Sequence, residues 1–467
     1  MKGFQQEWAL ASYNRQERLF NSLRHESSDS DEISSDVIIT LANNIVNSYE
    51  KNNIDTNSII QLSENLIKNN SLSVISFEQM NFLQILVSIF QNSNEENLLH
   101  AVLRIFIVWT HKWEQKVGIL TKEEFSVYLT QFIFINNTPI SCIYLSLNLL
   151  NRLLIIQPLL KIKLIEELDI FKNLVSLFAN CDNEKLRDEI LLCIWSLLHT
   201  IPHPDYEHIS SVTDLFIDLF SDPSAPNFEK RVYIASVFAE CSENCAFVLC
   251  ELFSPAEILP NFETYSDEVK ISILDLINTI LLTDDTCTSM SVISGLTLDF
   301  FGGVADSENE DLILSSVRML CALLRNEECT HELIQSALDD GVMEQLFIWY
   351  DNGTFQLKRY SAIALLQALS FQTQYVFHPF IVDKGFFELM VNFLDLGSQI
   401  VTKEVLHAIL MIDNYCSVKQ PSISELINSL NLKKEALGID PFDPSDLANL
   451  DTIREGLMIL NDEPLSF

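Results

Sequence analysis

A long apolar helical pattern recurs along this chain every 40 to 47 residues, and that recurrence restricts the fold more than any other feature. Apolar residues fall at i, i+3, i+4 and i+7 in runs centred near Ile105, Asn148, Cys193, Ser236, Leu276, Arg318, Leu365 and Leu410, the spacing of a helix that buries one face. A shorter amphipathic helix precedes the long one in several periods, at Phe82–Val87, Ile170–Val175, Asp214–Leu219 and Phe386–Val391. Polar clusters such as Asn92–Glu96, Asn180–Glu184 and Asp306–Asp311 separate the two, where Asn, Asp and Ser end one helix and cap the next. A single unit of this kind cannot bury both faces of its helices, whereas a stack of units can. The sequence therefore predicts an all-α solenoid.

Composition removes most other classes. The chain has 467 residues, 48% of them hydrophobic, with 65 acidic against 29 basic side chains and a formal charge of −36. That apolar content is too high for a disordered acidic chain, and the charge would repel a nucleic-acid duplex. Only 11 Gly occur, and neither a dinucleotide-binding nor a phosphate-loop glycine motif is present. Metalloprotease, serine-hydrolase and kinase signatures are missing too, so we expect no enzyme and no cofactor. No apolar run reaches the length of a membrane span. The first 25 residues carry Lys2, Glu7, Arg15, Glu17, Arg18 and Arg24, which is not the pattern of a secretory signal. The ten cysteines are scattered through apolar runs without a CxxC pair, as free thiols in a reducing compartment would be. His199, His203, Asp205 and His208 form the densest histidine cluster, but Pro202 and Pro204 put it in a loop between helices.

The flanks differ from the array. Residues 1–36 comprise a mixed-charge segment and an acidic, Ser-rich linker; residues 37–79 read as an N-terminal helical cap; residues 80–416 hold the repeats; residues 417–467 read as a C-terminal cap and tail, with a last helix over Leu447–Leu460.

Four stretches carry a resemblance to the armadillo family and, within it, to the importin-alpha adaptors. Leu174–Phe178 followed by Glu189–His199 resembles the family's second helix, loop and Trp-bearing third helix. The eight units stand at armadillo spacing. Asn14–Arg24 and the acidic stretch behind it are similar to the end of an importin-beta-binding segment and its linker. Leu447–Leu457 is similar to the last capping helix. The resemblance implies a right-handed armadillo/HEAT-like superhelical solenoid of about eight repeats with helical caps. It also implies an inner surface on which Trp and Asn, four residues apart on third helices, hold an extended Lys/Arg-rich nuclear localisation signal. The positions that correspond are Trp195 with His199, Tyr144 with Asn148, and Leu274 with Asn278; in the first unit Leu103 and Ile107 stand there. Arg15, Arg18 and Arg24 would meet importin-beta, and the protein would work in cytoplasm and nucleus.

The residues themselves leave the choice open. Trp195 and His199 share a helix face and could clasp a cationic side chain, or Trp195 could be core packing between units. Asn148, Asn151, Asp275 and Asn278 are polar groups in apolar helices and must find a partner or face solvent. They would either line the inner surface or tie units together. The charge of −36 could focus a negative field on that surface and favour cationic partners, or simply solvate the outer one. The expected job is an adaptor that binds extended basic peptides for import into the nucleus. The alternatives are a non-transport armadillo scaffold for protein–protein interaction and an accessory subunit that docks on an enzyme.

Overall fold

The computed structural model describes residues 34–68, 77–78, 80–135, 137–199, 201–217, 219–220, 227–282, 293, 296, 298–325, 341–369, 385–419, 421–443, 446 and 450–462. Among these the secondary structure is helical, with no strand, and the fold is an all-α solenoid of helical repeats. No single helix is long and apolar enough to cross a membrane. The chain divides into two compact units, one ending at Leu249 and the other resuming at Cys250, so the array expected over 80–416 is split at that point. Just beyond the division the chain runs through the four-residue helix Pro255–Ile258 and a 3₁₀ turn over Leu259–Thr264; Pro255 takes the first helical position, where no N–H donor is needed, and Pro260, which lacks that donor, stops the α-helix from continuing.

In the N-terminal unit the cap is α1 (Ser35–Glu50) and α2 (Thr56–Lys68), followed by α3 (Phe82–Asn92), α4 (Glu96–Lys112), α5 (Glu123–Phe134), α6 (Ile140–Ile156), α7 (Leu160–Leu168), α8 (Ile170–Ala179), α9 (Glu184–His199), α10 (Tyr206–Ile209) and α11 (Phe228–Cys241). The long helices pack in series, α2 on α4, α4 on α6, α6 on α9 and α9 on α11. The reason is visible in α4, which buries Leu98, Leu99, Val102, Leu103, Ile105, Phe106 and Trp109, too many for one neighbour to cover. Each fully buried side chain of this size stabilises the stack by about 1.5–3 kcal/mol. Trp109 sits in an aromatic nest with Phe77, Phe82 and Trp113, and its indole N–H donates to the Lys116 carbonyl at 3.2 Å, which removes the cost of burying a polar atom.

Sequence distance translates directly into spatial steps. Contacts that join one repeat to the next connect residues about one period apart: Tyr49 to Ser88 (39 residues), Lys163 to Glu123 (40), Ser141 to Glu96 (45) and Asn227 to Asp188 (39). The expected helix over Asp214–Leu219 is a correction. Residues Ser210–Leu215 form a 3₁₀ segment and the chain then turns, while Phe216, Leu219 and Phe220 still reach the core. The apolar pattern gave the burial but not the hydrogen-bond geometry.

The division falls within α12 (Glu243–Leu252), and the C-terminal unit repeats the logic with α13 (Pro255–Ile258), α14 (Asp267–Leu281), α15 (Phe301–Ala305), α16 (Glu310–Arg325), α17 (Val342–Asn352), α18 (Phe355–Ala368), α19 (Phe386–Leu394) and α20 (Gln399–Lys419). Again the long helices stack in series, α14, α16, α18 and α20. Asn309 donates to Asp267 at 2.8 Å across 42 residues, and Thr354 donates to Glu310. Three capping helices follow, α21 (Pro421–Ser429), α22 (Leu432–Gly438) and α23 (Leu450–Asp462). Asp413 of α20, 2% exposed, accepts from Ser424 at 2.7 Å and from Lys433 at 2.8 Å, closing α21 and α22 on the last repeat.

Short helices begin at a left-handed residue in both units: Asn81 before α3, Asp169 before α8, Gly341 before α17 and Gly385 before α19. Only Gly, Asn and Asp adopt that conformation readily, so these positions set where each short helix turns into the stack. The described cysteines are free thiols; burial pushes Cys245 up to about 11 and Cys416 up to about 12.

Candidate peptide-binding site

Tyr144 and Asn148 lie one turn apart on α6, half-buried on a helix whose other residues are mostly covered. An open cavity of about 550 Å³ begins at Tyr144. His100 and Arg104 of α4, Ile140, Ser141 and Leu145 of α6, and Asn183, Lys185 and Leu186 at the start of α9 complete its lining. Three successive long helices thus contribute, because their exposed stripes run side by side once the apolar stripes are packed.

This arrangement corrects the register of the first unit. The sequence placed Leu103 and Ile107 opposite the Tyr144/Asn148 pair; Leu103 is fully buried, and the counterparts on the cavity are His100 and Arg104. A step of 44 residues relates His100 to Tyr144 and Arg104 to Asn148. His100, Arg104 and Lys185 carried no motif that marked them, although the i, i+4 spacing of the first two matches that of Tyr144 and Asn148.

The charged side chains that line the cavity are Arg104 and Lys185. Burial holds His100 below the usual histidine range, Arg104 acts in the same direction, and Glu96 opposes it. The Glu96 carboxylate accepts from the Ser141 hydroxyl at 3.2 Å. Arg104 and Lys185 make no ion pair among the described residues.

Asn151, three residues beyond Asn148, does not join them. It is 1% exposed and donates to Glu189 Oε1 at 2.8 Å, tying α6 to α9 across 38 residues. Trp195 is also interior, 5% exposed. One face of its indole stacks on His199 with centroids 4.7 Å apart, and Tyr233 of α11 lies 6.5 Å away at 25°. The aromatic face expected to hold a cationic chain is already covered. Burial, with His203 and Lys161 as like charges, pushes His199 down to about 4, so its imidazole is neutral at pH 7. Lys161 of α7 is 1% exposed and burial lowers it to about 8. His203 donates from Nδ1 to the Leu198 carbonyl at 3.0 Å and sits 3.9 Å from Cys241 Sγ. Asp275 and Asn278 are buried on α14 of the C-terminal unit, 9% and 5% exposed. Arg15, Arg18 and Arg24 lie outside the described residues.

No family model matches the sequence, and no curated protein matches it. Among solved structures the chain is similar to an engineered protein whose crystal structure was determined as a structural-genomics target. The TM-score is 0.66 at 13% identity, covering 90% of this chain and 99% of that one. A crystal structure of a Kap121p mutant aligns with 94% of this chain and 45% of that chain at 11% identity, with a TM-score of 0.34. The first likeness supports the fold alone, and the second is too low to add to it.

Proposed function

We propose that this protein is a non-catalytic adaptor or scaffold that holds an extended polypeptide against the long helices of its N-terminal unit. The observation that carries the proposal is the cavity at Tyr144, where three consecutive repeats leave a polar and aromatic stripe uncovered. An open concave site with a few convergent polar groups is the usual form of a binding site. An aromatic ring with an amide one turn away offers an apolar platform beside a group able to bond a main chain.

A narrower form of the proposal is a nuclear-import adaptor that takes Lys/Arg-rich signals with importin-beta and works in cytoplasm and nucleus. The armadillo-like spacing and the Tyr144/Asn148 pair support it. The geometry favours the broader reading, since His199 covers Trp195 and cations line the cavity that a basic cargo would enter.

An array of extended peptides, acidic, basic and neutral, probed with the full chain tests the proposal. At least one class should bind, and Tyr144→Ala with Asn148→Ala should weaken it by about tenfold, the size of a hot-spot loss. Binding that ignores both substitutions, or no binding by any class, overturns it.

A further inference from the structure

We infer that the cavity formed by α4, α6 and α9 recognises the carboxylates of an Asp/Glu-rich polypeptide segment, against the sign of the whole chain. The inference rests on the adaptor reading above and names the chemistry of its ligand.

Two cationic side chains from different repeats line it, Arg104 on α4 and Lys185 on the first turn of α9, beside the imidazole of His100. With 65 acidic against 29 basic residues, a cation on this surface has carboxylates in excess to choose from, and several elsewhere pair with one. Lys116 pairs with Glu78, Lys163 with Glu123, Lys230 with Asp188, Lys270 with Glu263, Arg325 with Glu404 and Lys433 with Asp413. Among the described residues neither Arg104 nor Lys185 has an ion pair, and no Asp or Glu lines their cavity. The carboxylate at hand, Glu96, is held by Ser141 instead.

A second cavity in the same unit differs in carrying a carboxylate of its own. It is lined by Lys172, Arg187 and Arg231 but also by Asp214. There Arg231 donates to the Leu215 carbonyl at 2.7 Å, and Arg187 sits 5.5 Å over the Phe178 ring. The cavity at Tyr144 holds its cations ready for a ligand that the chain does not supply from its own described residues. Guanidinium and ammonium groups bind carboxylates by charge-assisted hydrogen bonds, and a guanidinium can do so with two parallel bonds. The overall charge of −36 does not forbid this. At physiological ionic strength the screening length is about 8 Å, so an arriving carboxylate meets the local cations and not the distant surface.

The test uses the full chain and two fluorescein-labelled synthetic peptides, one alternating Glu and Asp with Gly and Ser, the other with Lys at every acidic position. Anisotropy titrations at physiological salt should show binding of the acidic peptide, lost near 1 M salt, where the screening length falls to about 3 Å. The double variant Arg104→Glu, Lys185→Glu should lose about tenfold or more in affinity, as removal of close charge pairs does. Lys185→Glu alone, at an exposed position, should lose part of it with an unchanged unfolding transition. The inference fails if the Lys peptide binds in a Tyr144-dependent way and the acidic one does not, an outcome that leaves the adaptor reading standing. It also fails if the acidic peptide binds equally well to the charge-reversed variant. Failure of both peptides together with every neutral sequence removes the adaptor reading itself.

Discussion

The indole of Trp195 lies flat on the imidazole of His199, with ring centroids 4.7 Å apart and planes 9° from parallel. The surroundings hold that imidazole neutral and desolvated. Burial comes first, and the positive charges of His203 and Lys161 add to it.

A pH dependence follows from that stack. The folded value of His199, about 4, lies below its ordinary 6.5, so the unfolded chain takes up the proton first as pH falls. Stability is full above 6.5 and is lost as pH drops towards the folded value. Between about pH 7.5 and about pH 5.5 the wild-type protein should lose roughly 1.3 kcal/mol that His199→Gln does not lose. Urea unfolding of both proteins at the two pH values measures the difference. An equal loss in both would assign the sensitivity elsewhere.

Lys161 is a cation in the interior, 1% exposed and lowered to about 8 by burial. Its charge opposes folding at neutral pH, because the unfolded chain holds the same proton in water. Lys161→Met keeps the aliphatic stem and removes the charge, and should raise stability by about 1 to 3 kcal/mol. Wild type should recover that deficit as pH rises from about 8 towards 10.5, and the variant should not. A lower thermal midpoint for the variant at pH 7 would contradict the assignment.

Asn151 and Glu189 lock α6 to α9 through one buried bond of 2.8 Å. Asn151→Ala takes a donor from a carboxylate that is 8% exposed, and should cost about 2 to 3 kcal/mol. Asn151→Leu combined with Glu189→Met should recover most of that, since a buried polar pair can be replaced by apolar groups at little net cost. Chemical unfolding of the single and double variants completes the cycle; additive losses would mean the two side chains act independently.

In the C-terminal unit Arg325 reaches past α18 to Glu404, 79 residues on, at 2.6 Å. Gln367 of α18 belongs to the same network. With its amide oxygen and nitrogen assigned from that network, it donates to the Cys321 carbonyl at 3.0 Å and accepts from Arg325 Nε at 2.6 Å. Glu404→Ala leaves the guanidinium without its carboxylate, and should destabilise this unit by about 2 to 4 kcal/mol. Hydrogen exchange should show the loss in α16, α18 and α20 before it appears in residues 34–249. Uniform loss across the chain would place the network's effect elsewhere.

Much of the fold was legible along the chain. The stretch Glu189–His199 falls in a helix found at Glu184–His199, Ile170–Val175 in one found at Ile170–Ala179, and Leu447–Leu460 overlaps one found at Leu450–Asp462. These follow from apolar spacing, and spacing is a property of adjacent residues. The candidate site was legible only in part. Tyr144 lines the cavity and Asn148, one turn on, is half-buried, but Asn151 on the same helix turned inward to Glu189, and Trp195 was covered by His199. The cations that give the cavity its character, Arg104 and Lys185, are ordinary surface residues until the stack sets them beside one another.

The sequence alone determined that this chain stacks helical units one period at a time. An amphipathic helix with apolar residues on more of its surface than one neighbour can cover is stable only in such a stack, whatever its partners are. Tertiary structure decided which polar residues were left outside and which sign of charge they present. Those outcomes depend on how one helix is rotated against another 38 to 45 residues away, and a shift of one residue along a helix turns a side chain by about 100° from solvent towards core.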